Sequence, residues 1–269
     1  MTVPHSATPT LTILGARGSI PVSGSAFSRY GGNTTSMALS IEREVFAFID
    51  AGTALLAYSD HGLELRPEIS VFLTHYHWDH IQGFSMLGEM WEGNCTLEIY
   101  GDGPAEDTLT RAINPPWFPV ALSGQSNLSF KGVAEPVEIE SVTLGSFGIN
   151  HPQGAVGYRI DGPTSGVAVI TDHETVPEST PRILAAARGV DTVIYDAQYL
   201  PGEMIAHRGW GHSTWEDAVR FASDVGASRL ILTSHDPRRT DDEIDAIVAS
   251  ARERFPNTEG AAPGLTVEL

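Results

Sequence analysis

The segment Thr74-His75-Tyr76-His77-Trp78-Asp79-His80 constrains this chain more than any other. It follows Val71-Phe72-Leu73, an apolar run of the buried-strand type. Four potential metal ligands, His75, His77, Asp79 and His80, fall within six residues. Along an extended backbone side chains alternate with period two, so His75 and His77 face the same way. A turn into a helix then lets Asp79 and His80 approach the same point. Imidazole and carboxylate are donors suited to zinc, manganese or iron. A fold that uses this segment must end a buried strand at an open edge, where layered α/β proteins build their sites.

Three more residues share that placement. His151 follows Phe147-Gly148-Ile149-Asn150, Asp172 follows Val167-Ala168-Val169-Ile170-Thr171, and His235 follows Leu230-Ile231-Leu232-Thr233-Ser234. Each stands where an apolar run stops, and the shared position argues for convergence on one site. Runs of strand type also occur at 10–14, 36–41, 45–49, 97–100, 156–160 and 192–195. Helical patterns are fewer. Trp215, Ala218, Val219, Ala222 and Val225 line one face of a predicted helix over about 214–225. Ser213 with Glu216 reads as its capping box and Gly226 as its stop. Thr240 with Glu243 opens a second helix, to about Arg254. The order of elements predicts an α/β chain with two sheets and helices outside them. With 269 residues, 41% of them apolar, residues 1–269 are read as one domain.

Composition narrows the function. Cys95 is the sole cysteine, so neither an intrachain disulfide nor a Cys-rich zinc site is expected. No apolar stretch approaches the length of a membrane span, Met1–Pro9 has no signal-like run, and a cytoplasmic location is the expectation. Sixteen basic residues, one of them lysine, against thirty-four acidic ones leave a net charge of −18. Binding duplex DNA or RNA normally needs a basic face, and no stretch supplies one. A small anionic substrate stays compatible, because a bound metal inverts the local field.

The pattern His-x-His-x-Asp-His at 75–80, with His151, Asp172 and His235, resembles the metallo-β-lactamase superfamily, and Asp50 in Phe48-Ile49-Asp50-Ala51-Gly52 matches an early buried Asp of that pattern. The resemblance runs from about Thr10 to the C-terminus. It implies a four-layer αβ/βα sandwich with two divalent metal ions at its edge, zinc first and manganese or iron next. It implies that His75, His77 and His151 hold one ion, that Asp79, His80 and His235 hold the other, and that Asp172 bridges them. Asp50 would orient ligands from behind.

Asp191–Tyr199 followed by Gly211-His212-Ser213-Thr214 resembles the phosphodiesterase branch, which includes the tRNA 3′-processing endonucleases and small cyclic-phosphate phosphodiesterases. The resemblance pairs Asp196 with His212, which would assist departure of the leaving oxygen. The ribonucleases usually carry Glu where Asp196 stands. They also carry a long basic arm, whereas here Asp172 follows His151 by only 21 residues (172 − 151) with Arg159 the one basic residue between. The reading is therefore a dinuclear metal hydrolase, a phosphodiesterase of a small cyclic nucleotide or cyclic phosphate, with Asp79 orienting the attacking water. A homodimer is implied by the same resemblance. A lactonase or thioesterase, a tRNA 3′-end endoribonuclease, a mono-iron sulfur dioxygenase and a non-catalytic sensor are the rival readings. Candidate substrate contacts are Arg29 as a phosphate clamp, Asn33 or Thr34 as donors from the Gly-rich loop 27–35, and Trp117 in the stiff loop 115–120, with Trp78 facing the same pocket. His5, His61, His173 and His207 are read as surface or structural.

Overall fold

The structure, a computed structural model, describes residues 7–269, so His5 and most of Met1–Pro9 lie outside it. Its strands are β1 (Thr10–Gly15), β2 (Ser36–Ile41), β3 (Glu44–Ile49), β4 (Glu64–Phe72), β5 (Thr96–Gly101), β6 (Leu128–Gly132), β7 (Val137–Ile139), β8 (Val142–Ile149), β9 (Ala155–Asp161), β10 (Gly166–Ile170), β11 (Thr192–Asp196), β12 (Arg229–Thr233), β13 (Thr258–Gly260) and β14 (Thr266–Glu268). They form two seven-stranded sheets, ordered β14-β1-β2-β3-β4-β5-β6 and β13-β12-β11-β10-β9-β8-β7. The predicted strand runs are all present. The short, polar strands β6, β7, β13 and β14 were not visible in the sequence.

The central strands are buried on both faces, which is why their runs read as continuously apolar rather than alternating. One face of each sheet packs against the other sheet through Leu11, Ile13, Phe72, Tyr158, Val167, Ile194 and Ile231. The outer face of the first sheet is covered by the segment 53–61, Phe84, Leu87 and Leu109. The outer face of the second is covered by helices Thr180–Ala186, Trp215–Val225 and Asp241–Arg252. This is the four-layer αβ/βα order. Beside the site the sheets are pinned together, because the Tyr158 hydroxyl donates to the Leu73 carbonyl at 2.7 Å and Val156 N donates to the Thr74 carbonyl at 2.9 Å.

Helix Trp215–Val225 buries Ala218, Val219, Phe221, Ala222 and Val225 and stops at Gly226 in the left-handed conformation (φ 79°). Its cap is shifted by one residue from expectation: Thr214 caps Asp217. Ser213 cannot serve, because its hydroxyl is buried and already bonded to the His173 carbonyl and the Thr175 amide. Thr240 and Glu243 cap the next helix as expected. Among the described residues no helix is long and apolar enough to cross a membrane.

Candidate metal and catalytic site

The site lies where β3, β4, β8, β10, β11 and β12 stop. β3, β4 and β5 run parallel, as do β10, β11 and β12, so each group presents its C-terminal ends together. Three polar residues just past these ends take positive φ angles: Asp50 (59°), Asp172 (46°) and Ser234 (56°). Such strain is held only where surrounding packing over-determines it, and here all three residues are buried.

Three imidazoles converge in the first group. His75 Nε2 and His151 Nε2 lie 3.0 and 3.1 Å from His77 Nδ1. Nitrogens sharing one tetrahedral zinc at about 2.0–2.1 Å would stand about 3.3 Å apart, so the spacing fits one ion. Each ring is fixed through its other nitrogen: His151 Nδ1 donates to the Gly211 carbonyl at 2.8 Å, His77 Nε2 to Gln153 Oε1 at 3.0 Å, and His75 Nδ1 faces the Thr74 hydroxyl at 3.1 Å. Partners behind a ligand set its tautomer and direction.

The second group gathers His80 Nε2, Asp172 Oδ2 (3.3 Å away) and Asp79 Oδ2 (3.4 Å away). His80 Nδ1 donates to Asp50 Oδ2 at 2.7 Å, and Asp50 also accepts from Thr74. Asp50 therefore stands behind His80 and Thr74. His80 Nε2 is buried with no hydrogen-bond partner, and an orphaned nitrogen aimed at two carboxylates fits a cation. Asp172 Oδ2 also lies 3.8 Å from His75 Nε2 and 4.0 Å from His151 Nε2, between the two groups. Ser19 N donates to Asp79 Oδ2 at 2.7 Å and holds that carboxylate in position.

His212 stands beside both groups, and its Nδ1 contacts Asp196 Oδ2 at 2.6 Å. Burial would lower its pKa, but the carboxylates of Asp196 and Asp172 outweigh burial and raise it to about 9. The loop carrying it is held by Glu174, whose carboxylate accepts from Gly209 N and Gly211 N. Asp196 is further locked by the amides of His173, Gln198 and Ser213.

These residues floor a cleft of about 500 Å3 whose walls are Trp78, Gln198, Tyr199, Trp210, Pro237 and Arg238. Trp78 faces it, as expected. The other wall residues were not singled out in the sequence, and nothing local marks them. Four expectations need correction. His235 is outside the ligand cluster: β12 ends at Thr233, Ser234 turns its hydroxyl onto Asp172 Oδ1 at 3.1 Å, and His235, the next residue, points away. Its Nε2 donates to the Ala261 carbonyl at 2.9 Å and its ring packs edge-on to Tyr30. Arg29 does not reach the cleft, because it is taken up by Asp242 and Asp245 on the surface. The cleft's basic residue is Arg238, held by both oxygens of Asp236. Asn33 is exposed and bonded to Thr53, and Trp117 is 76% exposed; neither lines the cleft. His173 is structural: its Nδ1 accepts from Asn150 N.

The sequence matches the family model of the beta-lactamase superfamily domain over residues 47–235. The chain belongs to the beta-lactamase superfamily. It is a metal-dependent hydrolase of that superfamily, with its His and Asp clusters at the strand ends. It is 26% identical to ribonuclease Z of Geobacillus kaustophilus, an alignment covering 84% of this chain and 90% of that one. It is 24% identical to ribonuclease BN of Cronobacter sakazakii, over 74% of this chain and 81% of that one. In structure it resembles the metallo-beta-lactamase fold protein YhfI of Bacillus subtilis (TM-score 0.76, 19% identity, 98% and 100% covered). It also resembles a diphosphatase of the PhnP family (TM-score 0.72, 19% identity, 97% and 98% covered). At such identities the structural likeness speaks for the fold.

Proposed function

We propose that this superfamily member is a phosphodiesterase that cleaves a small cyclic nucleotide or cyclic phosphate with two divalent ions. The Asp196–His212 pair carries the reading. A carboxylate 2.6 Å from Nδ1 orients the imidazole and favours its protonated form, and the ring stands beside Asp172 at the cleft. That is the equipment of a general acid for an alkoxide leaving group. A lactone or thioester has less need of it.

His75, His77 and His151 would hold one ion, Asp79 and His80 the other, with Asp172 between, and the imidazole-rich first set suits zinc. When bound, such ions supply Lewis acidity toward a phosphoryl oxygen and make water a usable nucleophile near neutral pH. The chain's own residues do the rest. Asp79, fixed by Ser19 N, orients the attacking water. Arg238, fixed by Asp236, faces the substrate's negative charge. Trp78 and Trp210, 55% and 61% exposed on the cleft walls, offer flat surfaces for a nucleobase. His212 protonates the departing oxygen.

The relatives named ribonuclease Z and ribonuclease BN support a second reading, cleavage of precursor tRNA. The net charge of −18 and the 21-residue interval between His151 and Asp172 speak for the small substrate. The test is turnover by the metal-loaded chain of cyclic nucleotides, cyclic sugar phosphates, bis-p-nitrophenyl phosphate, lactones and precursor tRNA. Turnover of the cyclic esters with intact precursor tRNA supports the proposal. Specific tRNA 3′-end cleavage, or lactone turnover alone, overturns it.

A further inference from the structure

The two metal groups are not equally furnished. The first brings three imidazole nitrogens together with Asp172 beside them. The second has one imidazole, His80, and the carboxylates of Asp79 and Asp172. The strand that closes it, β12, contributes a hydroxyl: Ser234 is buried, its backbone is turned into the left-handed region (φ 56°), and its Oγ lies 3.1 Å from Asp172 Oδ1. The imidazole next in sequence, His235, is committed to the Ala261 carbonyl on the far side. His212 does not make up the deficit, because its Nδ1 is held by Asp196 and it gathers with Asp172 rather than with His80.

We infer that the two positions bind unequally: His75, His77 and His151 hold a tight ion, while Asp79, His80 and Asp172, closed by Ser234, hold an exchangeable one. A neutral serine hydroxyl is a much poorer zinc donor than an imidazole. It also uses Asp172 Oδ1 as a hydrogen-bond acceptor, which draws charge from the carboxylate that both ions would share. Ser234 thus sets the occupancy of the second position, and through it the metal concentration at which the enzyme becomes dinuclear. This rests on the metal-dependent reading of the site.

The experiment strips the full chain of metal, titrates it with Zn2+ against a competing fluorescent chelator, and counts ions by mass spectrometry after dialysis. The wild type should titrate in two steps, the second at least about 10-fold weaker, a loss comparable to that from removing even a partner behind a ligand. Dialysis against dilute weak chelator should leave about one zinc per chain. Ser234→His should tighten the second step and keep about two through the same dialysis. His80→Ala should abolish the second step and leave the first unchanged, and this variant decides the matter if circular dichroism shows that Ser234→His has not folded. Two equally tight ions in the wild type, or loss of both ions together in His80→Ala, would overturn the inference while leaving the metal hydrolase intact. No zinc bound at either step would overturn both.

Discussion

Gly211 and His151 hold each other in place. The Gly211 carbonyl accepts from His151 Nδ1 at 2.8 Å, which leaves Nε2 facing His77. A Cβ at position 211 would stand 2.1 Å from that same Nδ1, and the backbone there has φ 87°. The residue before the candidate general acid is therefore also the residue that aims a metal ligand.

Gly211→Ala should damage the metal site without replacing a ligand. The positive φ adds strain of about 1–3 kcal/mol, and the methyl group must displace the His151 ring. Affinity for the first ion should fall by about 10–100-fold, as when a ligand loses its orienting partner. Metal titration of the variant checks this, and unchanged zinc affinity would show that the contact does not aim the ring.

Most of the site was legible because strand ends are. Apolar runs stopping at His75, His151 and Asp172 locate three of its corners, the tight 75–80 spacing locates His77, Asp79 and His80, and Asp50, Asp196 and His212 follow only from the family resemblance. The sequence does not separate Ser234 from His235, for a physical reason. β12 is buried on both faces, so its run carries no alternation to say whether Ser234 or His235 faces the edge. Arg29 is drawn from the cleft by partners, Asp242 and Asp245, that come from a helix more than 200 residues away in sequence. Local sequence holds no trace of that capture. The cleft walls at Tyr199, Trp210 and Arg238 were equally invisible, each on a loop whose course is set by buried anchors elsewhere.

One such anchor is Arg17. It is fully buried; its Nε donates to the Gly31 carbonyl at 2.8 Å and its Nη1 to the carbonyls of Arg239 (2.7 Å) and Asp236 (3.3 Å). Its Nη2 faces Asp241 at 3.7 Å. Arg17→Ala would strand the Gly31 and Arg239 carbonyls, take the cation away from buried Asp241 and leave a void in its place, at a cost of about 3–5 kcal/mol. Arg17→Lys should recover only part of that, since one ammonium cannot span the same acceptors. Denaturant unfolding of both variants tests this, and equal losses for Ala and Lys would show that the fork geometry is irrelevant.

The position of His235 has a pH signature. Burial, followed by the nearby Arg17 charge, keeps its pKa down at about 4 although the Ala261 carbonyl and Asp241 favour the cation. In the unfolded chain the value returns to about 6.5, so between these limits the unfolded state binds the extra proton. Stability from this group is complete above about pH 6.5 and is lost as pH falls toward 4, by up to about 3 kcal/mol. His235→Gln keeps a donor but does not titrate. Unfolding free energies of metal-free wild type and variant, measured from pH 4.5 to 7.5, should converge as pH falls. A constant difference across that range would mean that His235 titrates normally in the fold.

The sharpest chemical prediction concerns His212. As a general acid it is needed only when the leaving oxygen needs a proton. A sugar alkoxide does; p-nitrophenolate leaves without one. His212→Ala should therefore lose roughly 10²–10⁴-fold in kcat on an alkyl phosphodiester, and much less on a nitrophenyl ester. Zinc content should be unchanged, because the ring is held by Asp196 rather than gathered among the His75, His77 and His151 nitrogens. Asp196→Asn should show the same pattern more weakly, since the amide can still hold the ring but no longer favours its protonated form. If His212 served only to position the helix at Trp215–Val225, its removal would lower stability and leave the ratio of the two rates unchanged. Equal rate losses on both esters with metal retained would therefore remove His212 from proton transfer.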